Sequence, residues 1–187
     1  MKRSITFLLL LALSAACLTA CTNPEPSPAT PDNQPISITK DFDGVELTIG
    51  LDKSVYSPGE EIQFKAVVKN NTNETIYLCG TPVDDYFVGV SISENGEPPY
   101  FSNYANSNFV EAAIIYKTVE PGEEYTQHTP VQTHYVNSFS NPRPTPSPVP
   151  PGTYIGLAGC GVGINKDETG QCEERGTYNI DFELEIK

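Results

Sequence analysis

Tryptophan is absent from the chain, methionine occurs once, histidine twice, and only 11 Lys and Arg stand against 24 Asp and Glu in 187 residues. The shortage of basic charge excludes a nucleic-acid binder, because neutralising phosphates takes a basic stripe that a net charge of −13 does not supply. It equally excludes adhesion to anionic phospholipid through a polybasic patch, so membrane attachment has to come from another device. Close cysteine pairs are missing beyond residue 21, which removes the thiolate spacing of structural zinc. Neither Gly-x-Ser-x-Gly, His-Glu-x-x-His nor a phosphate-cradling glycine loop occurs. His128 and His134 lie in a Thr-, Gln- and Pro-containing segment with no carboxylate at a recognised triad spacing. The expectation is a protein that is not an enzyme and that uses no cofactor and no metal. No apolar run after residue 21 is long enough to cross a bilayer.

The N-terminus reads Met1-Lys2-Arg3, then a twelve-residue apolar run from Ile5 to Ala16, then Cys17-Leu18-Thr19-Ala20-Cys21. Twelve helical residues reach roughly 18 Å, short of the ~30 Å hydrocarbon core, so residues 1–20 read as a secretory signal rather than a permanent span. Leu18-Thr19-Ala20-Cys21 resembles the bacterial lipoprotein box, in which a Leu, two small residues and a Cys direct lipidation and cleavage just before the Cys. That resemblance implies a lipidated Cys21 and an extracytoplasmic protein anchored to a bacterial membrane. The rival Ser14-Ala15-Ala16-Cys17 lacks the large apolar residue three places before the Cys. Two or three acyl chains, at about 0.8 kcal/mol per buried methylene, make such an anchor effectively permanent. Removal of Lys2 and Arg3 with the signal leaves 9 basic against 24 acidic residues, a net charge of −15.

Residues 21–40 hold the lipidated Cys and a tether, with five prolines between Thr22 and Lys40 and almost nothing apolar. Such a stretch packs no core and favours extended conformations at about 3.1 Å per residue, enough to hold the body up to roughly 50 Å off the bilayer. The body, 41–187, is long enough for one buried core. Its apolar residues alternate in steps of two: Val45, Leu47, Ile49 and Leu51; Ile62, Phe64, Ala66 and Val68; Tyr178, Ile180, Phe182, Leu184 and Ile186. Shorter runs at Thr75–Leu78, Phe87–Ser93 and Thr153–Ala158 add strands, and Ala112–Val119 reads as a strand or a short helix. Pro58-Gly59, Pro121-Gly122 and Pro151-Gly152 each have the Pro-Gly order of a type II turn. Seven to eight antiparallel strands separated by such turns make an all-β sandwich.

The stretch from Leu51 through Tyr56-Ser57-Pro58-Gly59-Glu60 to Phe64 resembles the turn between the first two strands of bacterial immunoglobulin-like domains. Val68 to Ile76, Val119-Glu120-Pro121-Gly122-Glu123 and Pro151-Gly152-Thr153-Tyr154 extend the resemblance to the intracellular proteinase inhibitor (BsuPI) family, in that family's order. The resemblance implies an immunoglobulin-like β-sandwich and, for function, protease inhibition. With no Trp, the Cys-Trp-Cys core of antibody domains is excluded. Between Pro98 and Phe109, and in the Pro-rich insertion Pro142–Pro151, the chain departs from the family, which places any inhibitory loop in question. Tyr56 and Tyr154 read as core or corner tyrosines.

With Cys17 removed and Cys21 lipidated, Cys79, Cys160 and Cys172 remain. Cys160 and Cys172 flank the loop of the last expected hairpin, which makes them the preferred disulfide, with Cys79–Cys160 as the rival pairing. Asp41 to Gly44, Asp84-Asp85 and the loop Asn165–Gly170 are acidic clusters without the later ligands of a calcium loop, and read as solvated surface. The segment Pro99–Phe109 is rich in aromatics and amides, so Tyr100, Phe101 and Tyr104 are candidate binding residues. The insertion Asn137–Pro151 favours polyproline II and reads first as a stiff connection across the sandwich end, second as a docking strip. The functional expectation is a non-catalytic envelope lipoprotein whose immunoglobulin-like domain binds another extracytoplasmic protein, a protease among the candidates, through its loops. The alternatives are a proteinase inhibitor of BsuPI type and a carbohydrate- or cell-wall-binding module using Tyr100 and Tyr104.

Overall fold

The computed structural model describes residues 33–80, 86–95, 101–102, 114–135 and 147–187. β1 (Ile36–Phe42) and β2 (Val45–Leu51) form a hairpin closed by Asp43 and Gly44, at φ 52° and 88°, the turn whose twist matches that of its strands. Asp41 Oδ1 accepts from the Gly44 amide at 3.1 Å, so this carboxylate serves the turn. There follow β3 (Val55–Tyr56), β4 (Glu61–Asn70), β5 (Ile76–Gly80), β6 (Gly89–Ser93), β7 (Phe101–Ser102) and β8 (Ile115–Val119). The chain continues with β9 (Glu124–Gln132), β10 (His134–Tyr135), β11 (Ser147–Pro148), β12 (Gly152–Ile164) and β13 (Glu173–Ile186).

One sheet has the order β1-β2-β4-β9; the other runs β3-β13-β12-β5-β8, with β6 also on β12 and β7 on β6. β10 and β11 pair separately, and β3 joins β13 in parallel while the other pairings are antiparallel. The runs β2-β4-β9 and β13-β12-β5 reproduce the A-B-E and G-F-C orders of an immunoglobulin sandwich. The fold is therefore an all-β, immunoglobulin-like sandwich. Instead of seven to eight strands it has thirteen among the described residues, four of them only two residues long and thus too short to show a period. The ambiguous run before Val119 is the strand β8 where it is described.

Alternation builds the core as expected. β2 buries Val45, Leu47, Ile49 and Leu51, β4 buries Ile62, Phe64, Ala66 and Val68, and β13 buries Ile180, Phe182, Leu184 and Ile186. Tyr178 is only half-buried and stacks on Phe42 at 4.7 Å, linking β13 to β1. The sandwich begins earlier than 41: Ile36 and Ile38 of β1 pack against the core, so the end of the expected 21–40 tether is the first strand. Its low apolar content hid it, because β1 buries only one side of a sheet edge.

Gly59 and Gly122 take positive φ, 81° and 80°, and the Glu60 and Glu123 amides donate to Ser57 and Glu120 carbonyls at 3.0 Å, closing the two expected turns. Pro151-Gly152 departs from that pattern, since Gly152 opens β12. Here the Tyr154 hydroxyl donates to the Pro150 carbonyl at 2.8 Å, a tyrosine corner, as its reading required. Among the described residues no helix is long and apolar enough to cross a membrane.

Candidate functional site

β12 carries Cys160 and two exposed apolar residues, Ile155 and Leu157. It is thirteen residues long, and one of its edges is shared: Ile155 to Gly159 pair with β6, Gly161 to Gly163 with β5. The alternation that buries Tyr154, Ala158 and Val162 turns Ile155 and Leu157 outward, where they stay 44% and 43% exposed. On one side their register partners are Glu183 and Asp181 of β13, on the other Ser93 and Ser91 of β6. The result is an exposed apolar pair beside an exposed acidic row, with Ser91 half-buried and Ser93 buried on the other side. β6 in turn pairs with β7, Ser91 opposite Ser102 and Ile92 opposite Phe101. Phe101, a binding candidate from sequence, therefore lies on the backbone strand next to this surface. Tyr100 and Tyr104 lie outside the described residues, as does Cys21.

The cysteines do not assemble as expected. Cys160 points into the core, and its burial pushes its thiol up to about 12. Cys172 lies on the opposite face of the sheet, where its Cβ occupies the space over Gly163, 2.7 Å from where a Cβ of that glycine would stand. Strand β12 itself lies between the two, and Cys79, Cys160 and Cys172 are all free thiols in this structure. Cys79 is likewise set apart from Cys160: it sits opposite Gly161 in register, on the outer face. Flanking a hairpin in sequence says nothing about which face a bulged strand presents, and β12 and β13 shift register between Val162 and Gly163.

Two groups of polar residues hold the frame. In the first turn Tyr56 is buried, and its hydroxyl donates to Asp52 Oδ1 at 2.8 Å, the same oxygen that accepts the Gln63 amide at 3.1 Å. Burial, reinforced by that carboxylate, raises the Tyr56 pKa. Lys53 pairs with Glu60 and lies 5.0 Å over the Tyr56 ring. Glu60 Oε2 also accepts the Ser57 amide at 2.8 Å, and the Lys53 hydrogen bond, followed by that amide, holds its carboxyl below the usual range. The familiar stretch from Leu51 to Phe64 is therefore a structural clasp.

The second group, which sequence reading missed, centres on Gln127 of β9. Its Oε1 accepts the Phe87 and Val88 amides at 2.9 and 3.0 Å, and its Nε2 donates to the Val88 carbonyl at 2.8 Å. It thereby joins the β9 sheet to the chain entering β6. His128, beside it, is exposed, and His134 lies on β10. In the loop before β13, Asp167 Oδ1 accepts from the Thr169 hydroxyl and amide and the Gln171 amide, at 2.7, 2.8 and 2.9 Å. The Thr169 hydroxyl first, then these amides, keep that carboxyl low. Among the described residues no three His, Cys, Asp or Glu side chains gather as metal ligands would.

No protein-family model matches the chain, and no curated protein matches it. Among solved structures it is similar to the β-glucosidase of Listeria innocua in complex with isofagomine, at 14% identity over 80% of this chain and 16% of that one, with a TM-score of 0.40. A β-glucosidase of Erythrobacter marinus is similar at 10% identity, 76% of this chain and 16% of that one, TM-score 0.40. The chain spans 16% of the length of those enzymes, and a likeness of that degree says nothing of what it does.

Proposed function

We propose that the protein is a non-catalytic lipoprotein of the bacterial envelope, anchored through Cys21, whose immunoglobulin-like sandwich binds another extracytoplasmic protein. The address is supported by Leu18-Thr19-Ala20-Cys21 directly after an apolar run, and by the proline-rich residues that follow. Binding is supported above all by the exposed Ile155 and Leu157 on the outer face of β12, whose neighbour β6 pairs in turn with β7, the strand of Phe101. An apolar pair on a sheet face gains free energy when a partner covers it, on the order of 25 cal/mol per Å² of apolar surface removed from water. The flanking Asp181 and Glu183 favour a partner with basic residues around its apolar contact.

The test is crosslinking of the membrane-bound protein in cells, followed by affinity capture. A specific protein is expected in the capture, and its recovery falls at least tenfold both in Ile155→Ser/Leu157→Ser and in Tyr100→Ala/Tyr104→Ala while the fold is kept. Unchanged recovery in both double variants overturns the site. Recovery of one protease at near-equal amounts, blocked by stoichiometric protein, replaces this reading with inhibition. Retention on wall glycan that depends on Tyr100 and Tyr104 replaces it with glycan binding.

A further inference from the structure

The outer face of β12 carries a second feature, at the other end of the strand from Ile155 and Leu157. Gly161 and Gly163 lie two residues apart and hence on the same face, roughly 7 Å from each other. The space over Gly163 is taken by Cys172, while Gly161 faces Cys79, its register partner, at ordinary contact distance. A Cβ on Gly161 would lie 3.4 Å from Cys79 Cβ and 3.8 Å from its Sγ, while one on Gly163 would lie 2.7 Å from Cys172 Cβ and 3.7 Å from its Sγ. The two thiols come from distant parts of the chain, Cys79 from β5 and Cys172 from the loop between β12 and β13.

That loop is held across β5 and β8 by contacts of its own. Lys166 Nζ lies 5.8 Å from the Tyr77 ring centre and 5.7 Å from that of Tyr116, so one ammonium is shared by two aromatic faces on neighbouring strands. Gln171, immediately before Cys172, is reached by the Tyr116 hydroxyl at 3.5 Å. Tyr116 is the register partner of Cys79. The loop is therefore docked on the strand pair that carries Cys79. The Cys79 pKa is raised first by burial and then by Cys172, and Cys79 adds in turn to the burial that raises Cys160.

We infer that Cys79 and Cys172 are a redox pair that closes into a disulfide, clamping the Asn165–Cys172 loop onto β5 and leaving Cys160 as a permanently buried thiol. The oxidant is a disulfide donor, either a thiol oxidoreductase or a small-molecule disulfide. The Cys172 thiolate attacks one sulfur of the donor and releases the first donor thiolate. Cys79 then attacks Cys172 Sγ in the mixed disulfide, forming the Cys79–Cys172 bond and releasing the rest of the donor as a second thiolate. Two electrons pass to the donor, and the two cysteine protons leave to solvent or to the released thiolates. Cys172 is the entry point because it sits on a loop, whereas Cys79 is fixed in a central strand. The gap between the two cysteines is closed by movement of that loop, toward the Cβ separation of ~3.8 Å that a disulfide requires. No such movement serves Cys160, whose side chain is on the far side of the sheet.

The inference draws on the export proposed above only for the source of the oxidant, and one experiment separates the two. The full chain, purified reduced in detergent, is exposed to oxidised glutathione, alkylated without denaturation, and digested under non-reducing conditions for mass spectrometry. A peptide linking Cys79 to Cys172 is expected, with Cys160 alkylated only after unfolding. Cys160→Ala forms the same link, while Cys79→Ala leaves Cys172 open to alkylation in the folded protein. Reduction of the closed form is expected to lower Tm by roughly 5–10 °C. A link from Cys160 to either cysteine, or alkylation of Cys79 and Cys172 with no link between them, overturns the pair. Acid-trapped cells then report on export alone: a reduced Cys79–Cys172 in a chain that closes in vitro counts against the oxidising compartment and not against the pair.

Discussion

Gln127 shows how much one buried amide does in this sandwich. It is 4% exposed, and its two ends satisfy the Phe87 amide and both backbone groups of Val88, with Thr129 Oγ1 accepting a further bond at 2.9 Å. Gln127→Leu has about the right size but leaves those backbone groups without this partner inside the protein. The expected loss is roughly 2–4 kcal/mol, read as a lower urea midpoint at unchanged slope. Hydrophobic periodicity passed over this strand because its buried positions are Gln127, Thr129 and Val131, two of them polar. Burial of polar side chains is decided by partners, and the partners of Gln127 lie about forty residues away. The tyrosines were easier: Tyr56 and Tyr154 each bond to a group four residues off, Asp52 and Pro150, within range of a local reading.

At the level of strands, the β12–β13 pair illustrates how facing residues share one volume. Gly156 stands opposite Phe182 in register, and a Cβ on Gly156 would lie 2.1 Å from the Phe182 ring. The ring thus occupies the space the glycine leaves, covering a weak point in the centre of a long strand. Gly156→Ala is expected to cost roughly 1–3 kcal/mol by overpacking, measured by chemical denaturation. Combining it with Phe182→Leu is expected to cost less than the sum of the single changes, and a strictly additive double variant would disprove the shared volume. The apolar periods of β2, β4 and β13 were legible because each strand buries one face against the core. Neither β1 nor the pieces of two residues were, since an edge strand buries little and a short one shows no period. Pro130 agrees with the edge position of β9, where a missing amide breaks no ladder on the outer side.

For the whole molecule the decisive question is where it resides. Cys21→Ala is expected to move the protein from the membrane fraction to the soluble fraction of fractionated cells, with the sandwich still folded, because a lone apolar signal of this length does not span a bilayer. Unchanged retention would sink the lipid-anchor reading. The all-β class, the core faces of three strands, the two Pro-Gly turns at Gly59 and Gly122, and the roles of the two tyrosines are legible in residue order alone. All of these rest on neighbours within a few residues, or on a period that repeats within one strand. Strand packing was needed to bring β1 into the sandwich, to set Gln127 against the chain entering β6, and to place Cys79 and Cys172 on a face opposite to that of Cys160. Those facts depend on which strands become neighbours and on one register shift in β13, and a shift of one residue turns every later side chain to the opposite face.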